Sequence, residues 1–324
     1  MAPLMLDFNK DKLAELDIYL GEPNEQVREG MRATLRAEGL RRTRSFGRLA
    51  ELEKAMRERS PDLMVVSDNL DTKIFKVIKD IRHHKIGRNP FIVISFMVKA
   101  EEETSIRKAI LSGADDVLIK PVAPSALLER VAQLVTRRLP FIATTDYVGP
   151  ERRRKSDRPS KIKQLEVINT LQLKLGDEKV TKLELQRSID GCVTQMMASK
   201  LDSHGMRLGY VCNIILDAYN NKKINKEVKE NLIILVGVLK DAAKTAKDIG
   251  EKELSSLCGD LARQVEEMSE NYKDPADSNI ALIRKLNEVF VMAKKGSGAV
   301  QSESSGLKNS DQPGALAEAK VAVP

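Results

Sequence analysis

The feature that most constrains this chain is an alternation, repeated five times before Pro140, of short apolar runs with helical patterns. The runs are Ile18-Tyr19-Leu20, a weaker one near Thr43–Phe46, Leu63-Met64-Val65-Val66, Phe91-Ile92-Val93-Ile94 and Val117-Leu118-Ile119. Between them, apolar residues recur every three or four positions: Val27, Met31 and Leu35, closed by Gly39; then Leu49, Leu52 and Met56; then Ile74, Val77, Ile78 and Ile81. Ile106, Ala109 and Ile110 precede Gly113, and Leu127, Leu128, Val131 and Leu134 complete the series. Steps of three and four place one apolar stripe on a helix. Runs without polar alternation are buried on both faces, as parallel strands covered by helices must be. The pattern therefore predicts a doubly wound α/β domain over 14–138, with a five-stranded parallel sheet whose ligand site lies at the carboxyl ends of the strands.

Those ends carry polar residues. Glu22 follows the first strand, Asp68 the third, Ser95 the fourth and Lys120 the fifth. A doubly wound sheet converges them on one crevice, which then holds two carboxylates, a hydroxyl and an ammonium. The set suits phosphoryl transfer to a carboxylate. Glu22 and Asp68 offer hard oxygen ligands for a divalent cation, and Asp68 can attack an activated phosphoryl group to give an acyl phosphate. Lys120 can neutralise charge on the phosphoryl oxygens, and Ser95 can donate to one of them and carry the signal to its loop. Each residue alone is an ordinary loop residue; the combination is specific.

The segments Val65-Val66-Ser67-Asp68, Ile94-Ser95 and Gly113-Ala114-Asp115-Asp116-Val117-Leu118-Ile119-Lys120-Pro121 resemble the response-regulator receiver family, a bacterial phosphorylation switch of flavodoxin-like fold. The resemblance implies Mg²⁺ held by Glu22, Asp68 and the main-chain carbonyl of Leu70. It also implies a cis Lys120-Pro121 bond and a histidine kinase or phosphotransfer protein as donor. Three departures stand out. Pro23 occupies the place of a second acid, the loop from Asn69 to Lys73 is short and lacks Pro and Gly, and Val117 replaces an aromatic. A pseudo-receiver that docks without phosphorylation is the alternative.

Beyond the first domain, 139–163 reads as a basic linker, with Pro140, Gly149, Pro150, Pro159 and the cluster Arg152, Arg153, Arg154, Lys155, Arg158, Lys161 and Lys163. Its Tyr147-Val148-Gly149-Pro150-Glu151-Arg152-Arg153 resembles a box found after some receiver domains. Residues 164–295 read as a helical bundle punctuated by Gly205, Asn220-Asn221, Gly250 and Pro275. Residues 296–324, rich in Gly, Ser, Ala and Pro, read as a disordered tail. Within the bundle, Ser203-His204-Gly205-Met206-Arg207 looks like the phospho-acceptor box of histidine-kinase hairpins, though Gly205 stands where an acid belongs. The bland alternative is a surface histidine near a helix start, capped by Asp202 or Ser203. His83 and His84 read as surface charge beside a loop.

Composition narrows the function classes. The net charge of +7 is concentrated locally, and no base-reading element accompanies it, which argues against nucleic acid as a partner. DNA binding through the linker stays as a third alternative. The three cysteines have no metal-type spacing. No basic, apolar and small-residue leader opens the chain, and no apolar stretch spans a bilayer, so a cytoplasmic protein without membrane contact is expected. No nucleotide loop or kinase ATP box appears, and the expected role is a non-enzymatic regulator. Its helical half would bind a protein partner or self-associate.

Overall fold

The computed structural model of the protein describes residues 9–100, 102–152, 162–176 and 180–288. Five parallel strands, β1 (Asp17–Gly21), β2 (Arg42–Phe46), β3 (Leu63–Ser67), β4 (Val93–Lys99) and β5 (Asp116–Lys120), form one sheet in the order β2-β1-β3-β4-β5. The order reverses beside β1, and this leaves a crevice at the carboxyl ends of β1 and β3. Helices α1 (Lys10–Leu13), α2 (Glu25–Ala37) and α6 (Pro124–Thr136) cover one face, burying Leu13, Leu35, Leu127 and Val131. On the other face, α3 (Leu49–Glu58), α4 (Ile74–Arg82) and α5 (Glu103–Leu111) bury Leu52, Met56, Ile74, Ile78 and Ala109. Local signals act as the sequence indicates. The Asn24 side chain accepts from the Val27 N–H to open α2, and Gly39, at φ +100°, ends it in a conformation that disfavours a Cβ.

One strand differs from expectation. The fourth was predicted to stop at Ser95, yet β4 runs on to Lys99. Phe96, Met97 and Val98 are all buried, so the apolar sequence continues the strand past its single hydroxyl.

The stretch read as a linker is folded where it is described. Strands β6 (Phe141–Ala143) and β7 (Val148–Pro150) make an antiparallel hairpin, and Phe141 pairs again with Leu165. Helix α7 (Thr170–Leu175) buries Leu171 and Leu175 against the α2–α6 face. The hairpin sits on the receiver-like domain at backbone contact distance. A Cβ on Gly149 would lie 2.7 Å from the Gly113 Cα, and one on Gly113 would collide with the Val148 carbonyl. Arg152 donates to the carbonyls of Ala114 and Asp115, at 2.8 and 2.7 Å. Arg153 to Lys161, the rest of the basic cluster bar Lys163, lie outside the described residues, as does the expected tail 296–324.

Beneath the hairpin lies a buried ionic group. Arg82 Nη2 is 2.7 Å from Asp115 Oδ2, and Arg138 Nε is 2.8 Å from Asp115 Oδ1. Arg82 also donates to the carbonyls of Gly113, Pro90 and Ile92, and both guanidiniums stack on the Phe141 ring. Burial pushes the Asp115 carboxyl up, but Arg138 and Arg82 outweigh it and hold it below the usual range. Burial likewise pulls Arg82 down, to about 10.

Helices α8 (Lys182–Asn220), α9 (Lys226–Asp248) and α10 (Lys252–Glu270) follow, and residues 277–288 are helical as well. The Asn220-Asn221 turn and Gly250, at φ +85°, do end helices, whereas α8 passes through Gly205 without a break. The described residues fall into two compact units: those up to His204 with Lys240–Gly259, and Gly205–Leu239 with those from Asp260 on. In the first, Met196 and Met197 join Phe91, Phe141 and Val148 in a core of their own. In the second, Leu208, Ile215, Leu232, Leu235, Val265 and Ile283 form the core, and Tyr219 donates to the Tyr272 carbonyl.

Candidate functional site

The crevice brings three of the expected side chains together. Lys120 Nζ is 3.2 Å from Asp68 Oδ1 and 3.7 Å from Glu22 Oε2. The two carboxylates are almost wholly shielded, each side chain 4% exposed, while Lys120 keeps 21% of its surface. Each is fixed by its backbone. The Asp68 N–H donates to the Met97 carbonyl at 3.0 Å, which anchors the turn after β3. The Glu22 N–H donates to the Phe46 carbonyl, and its Oε1 accepts from the Asn24 N–H, so Glu22 is held by the start of α2. Lys120 is the last residue of β5, and the bond from it to Pro121 is cis.

Ser95 is not part of this group. It pairs with Val65 on β3 and Asp116 on β5, well inside the sheet, and its Oγ is buried with no hydrogen-bond partner among the described residues. The β4 residue that follows Met97, and so stands beside Asp68, is Val98, which has no hydroxyl to offer. The hydroxyl that the crevice does hold belongs to Ser67. It accepts from Lys120 Nζ and donates to Asn69 Oδ1, and Lys120 also donates to Asn69 at 2.9 Å. Ser67 and Asn69 flank Asp68 in the sequence, and that adjacency was the available signal for them.

The metal ligands named from sequence are placed as follows. Glu22 and Asp68 both face the Lys120 ammonium, so two carboxylates, the oxygen donors a divalent cation takes, share one crevice. Mg²⁺ is commonly held by one or two carboxylates with water completing the shell. Leu70 lies in the turn after Asp68, its N–H donating to the Ser67 carbonyl and its side chain in the core. That side chain closes off the position before Glu22, because a Cβ on Gly21 would lie 2.9 Å from Leu70 Cδ2. Among the described residues no set of three or more acidic, His or Cys side chains is arranged to hold a metal.

With this geometry in view, residues 18–132 match the family model of the response regulator receiver domain. This segment is a receiver domain. Among solved structures, the chain is similar to the orphan response regulator HP1043 of H. pylori, at 23% identity over 36% of this chain and 94% of that one, with a TM-score of 0.32. It is also similar to DrrB of Thermotoga maritima, described as an OmpR/PhoB homologue, at 16% identity over 57% and 89% of the two chains, with a TM-score of 0.34. No curated protein matches the chain. The helical residues after the receiver domain lie outside the family match, and no described helix is long and apolar enough to cross a membrane.

Both readings of His204 need correction. The residue lies inside α8, not near a helix start, and only 2% of it is exposed. Its Nε2 is 3.4 Å from Thr245 Oγ1. A phospho-acceptor needs an accessible ring nitrogen, which this burial denies. His83 is no surface charge either. It is buried, its Nε2 has no partner among the described residues, and burial with nearby Lys200, Lys79 and Lys85 lowers it to about 4.

Proposed function

We propose that the chain is a two-component response regulator in which Asp68 takes a phosphoryl group from a histidine kinase or phosphotransfer protein. The observation that carries the reading is the approach of Lys120 Nζ to Asp68 at 3.2 Å with Glu22 beside both. An Asp68 oxygen attacks phosphorus as the P–N bond of the donor phosphohistidine breaks, and the electron pair leaves on the imidazole nitrogen, which is then protonated. Lys120 exchanges its carboxylate contact for one with the transferred oxygens, and it is poised to do so because it already touches Ser67 and Asn69. Glu22 and Asp68 would hold Mg²⁺, which supplies charge neutralisation when bound.

The output of this reading is a protein contact made by the helices, not DNA binding. Tyr210 and Ile233, both in the second unit and exposed at 68% and 55%, support a partner or a second copy there. A specific observation also favours the docking-only alternative. Pro23 brings no second carboxylate beside Glu22, and the Ser95 hydroxyl lies inside the sheet instead of in the crevice.

Beryllofluoride or acetyl phosphate with Mg²⁺, followed by amide NMR, separates the two. The phosphorylation reading expects shifts at Asp68, Asn69 and Lys120, absent in Asp68→Ala. Unchanged spectra at saturating Mg²⁺ would leave the docking module as the function.

A further inference from the structure

Among the described residues the sheet ends at β2, which pairs there with β1 alone and leaves its outer edge open. A groove of about 580 Å³ wraps this edge, walled by α2 on one side and α3 on the other. Arg32 and Arg36 project from the α2 wall, Arg44 from the strand, and Lys54 from the α3 wall. Arg44 is already fixed. Its guanidinium lies 5.2 Å from the Tyr19 ring centroid and 5.5 Å from that of Phe46, and it donates to Tyr19 Oη at 3.2 Å. Arg32 is likewise tethered by Glu29. Guanidiniums held in place lose little freedom when they bind a carboxylate.

We infer that this groove binds an extended acidic segment of a partner protein, which adds a strand to the β2 edge. The open edge supplies backbone donors and acceptors, and a peptide strand is the chemistry that matches them. Spacing selects the side chains. Arg32 and Arg36, one helical turn apart, are separated by about 6 Å along α2. Alternate residues of an added strand repeat at about 6.6 Å. Carboxylates at every second position would therefore meet the two arginines in turn. The opposite side chains would face Lys54 and Ala55 between Glu51 and Glu58, where a further acid is disfavoured. The positive charges that keep a second copy of this edge away admit a strand of opposite sign. A nucleic acid fits less well, because Tyr19 and Phe46 are buried and present no ring face for a base.

The test uses the full chain and a fluorescein-labelled peptide of about seven residues alternating Glu and Thr, of ordinary strand length. Anisotropy should show saturable binding that weakens with salt, with amide shifts across Arg42–Phe46. R32E/R36E, both on the solvent side of α2, should weaken binding about tenfold or more with unchanged circular dichroism. A peptide N-methylated at alternate amides should lose binding, as strand addition requires. Three results would overturn the inference: no binding at millimolar peptide, equal binding of the N-methylated peptide, or equal binding of an oligothymidylate of matched charge.

Discussion

Asp115 and Asp116 are neighbours of identical chemistry in the receiver motif, yet the structure predicts opposite consequences for their removal. Asp115 is enclosed with Arg82 and Arg138, accepts from the Ile94 N–H at 2.8 Å, and leaves both guanidiniums without a counter-charge if it is lost. Removing one partner of a buried ion pair costs about 3–5 kcal/mol, so Asp115→Ala should fall near 4. Among the described residues Asp116 pairs with Arg130, at 3.7 Å and half exposed, so Asp116→Ala should cost under about 1 kcal/mol. Native-state hydrogen exchange of β4 and β5 amides reads this locally, which avoids assuming one unfolding step for the whole chain. The lowered Asp115 carboxyl adds a pH signature. Its folded value lies below its unfolded value, so its stabilisation is present above the ordinary carboxylate range and drains as pH falls through the folded value. The gap between wild type and Asp115→Ala should narrow in acid. A loss under about 1 kcal/mol at neutral pH, or equal losses for the two alanines, would refute the assignment of the ionic group as the support of the hairpin.

His83, lowered to about 4 from an ordinary 6.5, should stay neutral through the physiological range in a heteronuclear pH titration. Because the unfolded chain takes that proton first, its contribution to stability is complete above about 6.5 and declines as pH falls toward 4. Gly113→Ala places a methyl at φ +91° against the Val148 carbonyl and should cost about 2 kcal/mol, with amide shifts in β6 and β7; unchanged shifts would count against the close contact. Ser95→Ala removes a buried hydroxyl that has no partner among the described residues, so stability should stay within about 1 kcal/mol of wild type or rise, and any beryllofluoride response at Asp68 should persist. Loss of that response would return Ser95 to the site.

The sheet was legible because four of its strands carry apolar runs, with β2 the weak exception, and their helices keep three- and four-residue steps. Glu22, Asp68 and Lys120 were legible for the same reason, since a strand end locates the residue that follows it. Ser95 misled because a polar residue after Ile94 looks like a strand end, and only pairing along β3 shows the strand continuing to Lys99. The hairpin was hidden by its own turn residues. Pro140, Gly149 and Pro150 signal irregular chain, while the partners that order it, Gly113, Ala114 and Asp115, lie far back in the sequence. The burial of His204 was hidden too, because the helix that covers it is supplied by Thr245, forty-one positions on.

The way the hairpin and α7 are fastened down bears on how this protein can be cut and recombined. Lys174 reaches Asp62, just before β3, at 2.7 Å, and Lys12 in α1 donates to the Gly176 carbonyl at 2.7 Å, so the α7 segment beyond the family match is tied to the first domain at two places. A fragment stopped where the match stops would bare Phe91 and strip Asp115 of Arg138. A chimera cut after Gly176 would still lose Met196 and Met197, which complete the core around Phe91 and Phe141, so an exchange of this half has to carry the start of α8 along with the hairpin.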